Sequence, residues 1–501
     1  MGSSTMGETI KWGTVLLLLS GLLSACGSTK AEEPEPYHIT VMTYDYTGDP
    51  MKGEVGAQII RKVEEYTNTT LEISWVSSMN YSHKLSTLLA YRKDMPHIVV
   101  ADGKSAGVLY AARSGEVWDL TAYLDDYPHL SQGDPGINDN IRIDGKIYGI
   151  YRGRQPGRVG TAYREDWAEN LGLPEPESIE DMERMIRAFT FDDPDRNGLQ
   201  DTYGLVLAKD PFTMDIVMTW FGVPNGWGER EDGRLVPSFY FPEHKEALDW
   251  LRGLYRDGCI NQDFMVKDME VMHQDMRNGL AGVMGKYLDE GRRVQDYFDA
   301  NQIDGKINLI GAIEDRDGVK RVLGTSGHSG FFMITRTARN EEEVRACLNF
   351  LDQMNDPEMM MLADFGMEGR HYEYSPDGKL IRNKEEELNV EFSAFNQMLS
   401  YSEYLIAPGI TLQETPLYDR QWQLFEENKQ YCVYNPALPF LEDSNVYITY
   451  GGGLEQMLAD ARVEYVIGAI SEEELEQRYN RWRVAGGEQM IMEVNLLYQN
   501  R

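Results

Sequence analysis

The apolar positions of this chain change period in a regular order. His38 to Tyr44 (HITVMTY) reads as a strand, and the stretch GEVGAQIIRKVEEYT after it puts Ile59, Ile60 and Val63 on one helical face. Leu71 to Ser77 alternates, Leu85, Leu88 and Leu89 return to helical spacing, and Pro96 to Asp102 carries the unbroken apolar run Ile98-Val99-Val100. The order is βαβαβ. A strand apolar at consecutive positions is one covered on both faces, so the pattern predicts a parallel sheet with right-handed crossovers. In such sheets small molecules bind beyond the carboxyl ends of the strands. Those ends are Tyr44-Asp45-Tyr46, Trp75 to Ser78 and Asp102-Gly103.

A second α/β region follows. Asp144-Gly145 inside IRIDGKIYGI predicts a hairpin, and Tyr163 leads into a helix holding Asp166 and Trp167. Ser178 with Asp181 three residues on predicts a capped helix start ahead of Met182, Met185, Ile186 and Phe189. Pro242 opens, and Gly258 closes, a helix through Ala247, Leu248, Leu251 and Leu254. Leu280 to Gly285, Ile307 to Ile313 and Phe331 to Thr335 read as strands, and Asn340 caps the helix after the last of them. The C-terminal part is largely helical, with Ser471 and Glu474 as a capping box and Gly486-Gly487 as a stop.

The N-terminus has a different character. Trp12 to Leu23 is the one stretch apolar enough for a membrane, yet it is well short of the roughly 20 residues a spanning helix needs. It runs into Leu23-Ser24-Ala25-Cys26, a lipobox at which a bacterial lipoprotein is cleaved and lipidated on the cysteine. Residues 1–25 are therefore expected to be a lipoprotein signal peptide, and 26–36, rich in Pro and Glu, a tether. An extracellular, lipid-anchored location follows.

The 501 residues hold 48 Lys+Arg against 82 Asp+Glu, a net charge of −34. A polyphosphate backbone would be repelled over most of such a surface, which excludes nucleic acid as a partner. Three cysteines remain beside Cys26, too few for a disulfide framework in a chain this long.

One loop carries metal chemistry. Asp193, Asp195, Asn197 and Asp201 stand at positions 1, 3, 5 and 9, with Gly198 at 6 and the Leu199 carbonyl at 7, as in the first nine positions of a calcium loop. Position 12 is Gly204 where a bidentate Glu is usual, so water or Thr202 would complete the set. The alternative is a solvated Asp/Asn-Gly turn that needs no ion. A calcium held there would be structural. Enzyme motifs are absent: Gly103-Lys104-Ser105 lacks the first P-loop glycine, there is no HExxH, and Gly324 to Gly330 does not satisfy GxSxG. Sugars present flat C–H faces to aromatic rings. Of the 9 Trp, 29 Tyr and 16 Phe, those on expected loops are Tyr44, Tyr46, Trp227 and Tyr287. With Asp45 and Asp102 as hydroxyl acceptors, and His328 in its Gly/Ser loop, they form the candidate ligand set.

These segments resemble a known family. Tyr163-Arg-Glu-Asp-Trp167 with Leu171-Gly-Leu173-Pro174, the Asp193 loop and Thr202-Tyr-Gly204 are similar to the family 1 extracellular solute-binding proteins, in their large Gram-positive lipoprotein branch. Ile143 to Gly149, Leu254 to Gly258, Phe365 to Gly369 and Glu493-x-Asn495 extend the likeness over nearly the whole mature chain. The resemblance implies a type II periplasmic-binding-protein-like α/β fold with two discontinuous lobes and a C-terminal helical part. On that reading 37–155 with about 325–400 form lobe one, and 156–324 with about 401–501 form lobe two. It further implies an oligosaccharide captured in the cleft by a monomer and delivered to an ABC permease, a structural calcium, and no catalytic residues. A secreted polysaccharide-degrading enzyme, and a surface sensor or adhesin on the same fold, are the alternatives.

Overall fold

The computed structural model describes residues 35–48, 50–383, 388, 390–401 and 410–500. The signal peptide, Cys26 and most of the tether lie outside the described residues, and among those described no helix is long and apolar enough to cross a membrane.

Two mixed sheets organise the chain. In the first, Thr69–Ser77, Tyr37–Asp45 and Ile98–Ala101 are parallel neighbours, in that order. Their helical crossovers, Gly53–Thr67 and Ser78–Tyr91, bury the Ile59/Val63 and Leu85/Leu89 faces the periodicity marks. Ile98, Val99, Val100 and Ala101 are fully buried, which their unbroken apolar run requires. The remaining strands are His328–Ile334 and Ile150–Gly153; His328–Ile334 lies antiparallel between Ile98–Ala101 and Ile150–Gly153. The second sheet orders Ile307–Ile310, Val159–Arg164, Ala281–Tyr287 and Tyr203–Val206. Its outer pair, Ala281–Tyr287 with Tyr203–Val206, is parallel.

The apolar core divides the same way. One cluster draws on residues between 39 and 151 and between 331 and 399. The others draw on 159–323 and 424–494. The fold is two-lobed, and the chain passes from the first sheet to the second and back. Outward it runs from Gly153 to Val159, and it returns through 324–327. These two crossings lie side by side: Arg154 N donates to Gly327 O at 2.9 Å and Thr325 N to Pro156 O at 3.1 Å. Asn428, 1% exposed, donates to Gly157 O at 2.8 Å and to Val159 O at 3.0 Å and so ties a C-terminal helix to the same junction. Glycine is needed at 157 because a Cβ there would lie 2.6 Å from Phe425 O.

Local signals hold with two exceptions. Ser178, Asn340 and Ser471 cap their helices through the N3 backbone N–H, Ser471 with the full capping box. Asp144-Gly145 does make a turn with both residues at positive φ, but the hairpin is a single Ile143–Lys146 bridge, because the chain before it is the helix Pro135–Ile141. Gly486, with φ of 135°, kinks the C-terminal helix and does not end it. Trp482 before the kink and Met490, Ile491 and Val494 after it share one core cluster, so burial continues through it.

Candidate functional site

The first sheet ends in a stack of rings. Tyr81 is fully buried and fixed at both sides of its hydroxyl, donating to Met42 O at 2.9 Å and accepting from Val100 N at 3.0 Å. Tyr44 stacks on it at 3.9 Å between centroids, and Tyr46 on Tyr44 at 5.5 Å. Tyr46 is 59% exposed and Tyr44 only 6%, so Tyr46 is the ring that can meet a ligand and Tyr44 supports it. The Arg152 guanidinium lies 5.3 Å from the Tyr44 centroid and donates to Ser329 O at 2.9 Å and to Gln397.

The carboxylates at the strand ends have different duties. Asp45 Oδ1 accepts from Thr47 N at 2.7 Å, Thr47 Oγ1 at 3.0 Å and Gly48 N at 2.9 Å, which shapes the loop after Tyr46. Asp102 accepts from Ser82, and burial pushes its carboxyl up, with Arg152 opposing. His328 Nδ1 accepts from Gly330 N at 3.2 Å. Burial, then the positive charges of Arg154 and Lys104, push its imidazole down to about 4. The ring is neutral at pH 7, its proton is on Nε2, and that N–H is a donor.

The second lobe supplies a matching patch. Tyr287 pairs with Val159, where the chain enters the second sheet. Arg158 lies over its ring at 4.1 Å and Phe212 approaches at 5.2 Å. Arg158 also donates to Asp289 at 2.9 Å; burial alone would raise that carboxyl, but Arg158 and Arg293 outweigh it and hold it below the usual range. Because the linker from Gly153 to Val159 can span at most about 20 Å, the Tyr44/Arg152 patch and the Tyr287/Arg158 patch flank one junction. Arg154 lies between them, half-buried, and donates to Gly153 O at 2.6 Å.

Two sequence candidates sit differently. Trp227 is 6% exposed, in a two-stranded hairpin, and belongs to a core cluster with Ala437 and Trp482. Its flanking glycines suggest a loop, but the ring is core. Thr202 is turned inward, its hydroxyl donating to Phe189 O at 2.8 Å. The rest of the Asp193 loop converges: Asn197 Nδ2 donates to Asp195 at 2.9 Å and to Asp201 at 3.2 Å, and Gly198 N to Asp193 at 3.1 Å. Asp193, Arg196 and Gly198 take positive φ to close it, while the Leu199 side chain points to solvent. Burial first, then Asp201 and Asp193, push the Asp195 carboxyl up. Among the described residues no group of three or more His, Cys, Asp or Glu is already arranged to hold a metal ion.

Sequence reasoning passed over Arg152, Arg154, Arg158 and Phe212. A signal existed: three arginines between positions 152 and 158 run against the acidic trend of the chain. A cavity of about 640 Å³ lies away from the junction, lined by first-lobe residues that include Lys62, Tyr66, Met359 and Met367.

Two lobes joined by paired crossings, with aromatic and polar side chains at the junction, define a solute-binding architecture. No family model matches the chain. It is 34% identical over 454 residues to lipoprotein LipO of Bacillus subtilis (strain 168), covering 88% of each protein. It is 30% identical over 501 residues to the polygalacturonan/rhamnogalacturonan-binding protein YtcQ of the same organism, covering 96% of this chain and 98% of that one. Among solved structures it shares its fold with an EF-hand mutant of the S. pneumoniae ABC-transporter substrate-binding protein FusA in complex with fructo-nystose. There the TM-score is 0.68 at 17% identity, over 92% of this chain and 99% of that one. The chain belongs to the extracellular solute-binding proteins of ABC transporters, in their lipoprotein branch.

Proposed function

We propose that this protein captures an oligosaccharide at the junction of its lobes and hands it to an ABC permease, acting as a lipid-anchored monomer on the outer face of the cell membrane. The observation that carries this reading is the pair of patches flanking the linker. Tyr46 over Tyr44 offers a ring for a sugar face on one side, and Tyr287 with Arg158 does so on the other. Asp102 and the His328 Nε2–H would accept and donate hydrogen bonds to hydroxyls. YtcQ and FusA are both binding proteins for sugar chains, which supports the same class here. Lobe one would comprise 37–155 and 325–400, and lobe two 156–324 and 401–501.

No covalent step is needed: a ligand touching both lobes favours the closed form by its differential affinity for it. A thermal-shift screen against neutral and acidic glycans should find a stabilising oligosaccharide. Small-angle scattering with that ligand at saturation should show compaction. Reducing ends released during the incubation would instead favour the polysaccharide-degrading reading.

The anchor would be lipid on Cys26, placed there by Leu23-Ser24-Ala25-Cys26. Cys26→Ala should release the protein into the medium; unchanged membrane association would refute the anchor. Asp193, Asp195, Asn197, Asp201 and the Leu199 carbonyl would hold calcium once Asn197 turns its oxygen inward, because the loop already draws Asp193, Asp195 and Asp201 around Asn197 and Gly198 and their like charges oppose one another. The ion would supply positive charge that lets the carboxylates approach, pinning the loop between the helix Ile179–Phe191 and the strand Tyr203–Val206.

A further inference from the structure

We propose that the ligand site extends past Asp102 into a second pocket, between the carboxyl end of the strand Ile98–Ala101 and the start of the helix Asn445–Val466, and that this pocket takes one further sugar residue of the captured chain. This rests on the oligosaccharide reading above and adds to it a subsite with its own ring and its own hydrogen-bonding group.

Strand register gives the pocket its place. Ile98–Ala101 runs parallel to Tyr37–Asp45 with Val41 beside Ile98 and Met42 beside Val99, which brings Tyr44 level with Ala101. Neighbouring strands lie about 5 Å apart, so the chain after Ala101 leaves the sheet beside the Tyr44–Tyr46 stack. Asp102, the hydroxyl acceptor of the proposed site, comes first there and Gly103 follows it. A cavity of about 280 Å³ opens at that point, lined by residues that include Gly103, Ala106, Glu442, Tyr447 and Ile448. Sites that bury a drug-sized molecule run to roughly 300–1,000 Å³, so this one suits a single ring and not a chain.

The far wall comes from the C-terminal part of the protein and is held in place. The Lys104 ammonium is occupied, donating to Arg142 O and Pro439 O and pairing with Asp443. Its backbone N–H donates to Glu442 Oε2 at 3.1 Å, and among the described residues this is the one hydrogen bond of the Glu442 carboxyl. Oε1 is left to accept a hydroxyl. Glycine is needed at 103 because a Cβ there would lie 2.8 Å from that oxygen, and a side chain would fill the entrance. Tyr447 is anchored at its own hydroxyl, which donates to Glu455 at 2.7 Å. Ile448 packs against the first-sheet core cluster and Tyr447 against the cluster of Trp227 and Trp482, so the helix start is fastened to both. A fixed ring, an aliphatic side chain and one unpaired carboxyl oxygen match the C–H face and hydroxyl of a sugar.

The test uses the full-length protein in mild detergent. The probes are oligogalacturonides, fructooligosaccharides, maltooligosaccharides and xylooligosaccharides of two to six units, each measured by calorimetry. At least one series should bind, and its affinity should rise by about tenfold at the unit that fills the pocket. Ala106→Trp plugs the pocket from an exposed position in the first turn of the helix Ala106–Arg113. It should erase that step, leave shorter chains within about twofold of the parent, and leave the melting temperature unchanged. Tyr447→Ala should erase most of the same step. An affinity that does not grow with chain length would overturn the subsite while leaving oligosaccharide capture standing. So would a folded Ala106→Trp that binds the longest chain as the parent does, or that weakens every length alike. If no series binds the parent, capture itself falls.

Discussion

Lys104→Ala is expected to destabilise the protein by about 3 kcal/mol, because it breaks a buried ion pair and leaves its partners unpaired. The Lys104 side chain is fully buried, and its ammonium donates to Arg142 O at 3.3 Å and Pro439 O at 3.2 Å and pairs with Asp443 at 3.5 Å. Its backbone N–H donates to Glu442 at 3.1 Å. Burial pushes both Glu442 and Asp443 up, and Lys104 is the main charge opposing that. The lysine follows the strand Ile98–Ala101 of the first sheet, whereas Phe440 and Leu441, beside its partners, pack in a cluster with Trp227, Leu235 and Val236. It therefore fastens the end of the first sheet to the segment Pro439–Asp443. Lys104→Met keeps the volume and loses the charge, and should remain destabilised; adding Asp443→Leu to it should recover much of the loss. Chemical denaturation measures all three, and an Lys104→Ala variant as stable as the parent would dismiss the clamp.

Calcium is expected to stabilise chelator-treated protein by about 2.7 kcal/mol at an ion concentration a hundred times its Kd, if only the folded state binds it. The loop is folded on itself through Asn197 and Gly198, so the ion would replace hydrogen bonds already converging on Asp193, Asp195 and Asp201. Burial and the charges of Asp201 and Asp193 push the Asp195 carboxyl up, and Asp195→Ala should abolish the response with little change in the unliganded melting temperature. Since the ligands must be deprotonated, the response should shrink as pH falls toward 4. Equal melting with chelator and with millimolar calcium at pH 7 would rule out the ion.

The contrast between Trp227 and Tyr46 explains where sequence reading succeeds and where it fails. Both stand in segments of turn-forming residues, Asn225-Gly-Trp-Gly228 and Tyr46-Thr-Gly48. The first is buried in a core cluster that also holds Ala437, Trp482 and Val494, residues more than 200 positions away, and the second is left open. Nothing local distinguishes them. The arginines of the linker pose the same problem, since their spacing is plain in the sequence but the buried Asp364, on which Arg382 and Arg154 both act, comes from a helix some 200 residues later.

Short-range signals account for the βαβαβ order, the buried run Ile98-Val99-Val100, the caps at Ser178, Asn340 and Ser471, and the closed turn at Asp193. These follow from periods of two and 3.6 residues and from side chains bonding to nearby backbone, which any stretch expresses alone. The antiparallel entry of His328–Ile334 into the first sheet beside Ile98–Ala101 depends instead on long-range packing. The pairing of the two crossings with each other, the meeting of Lys104 with Asp443, and the burial that raises the Asp364 carboxyl are tertiary as well. Such contacts join residues far apart along the chain, and their stability comes from closing long loops against a shared core, which no local period records.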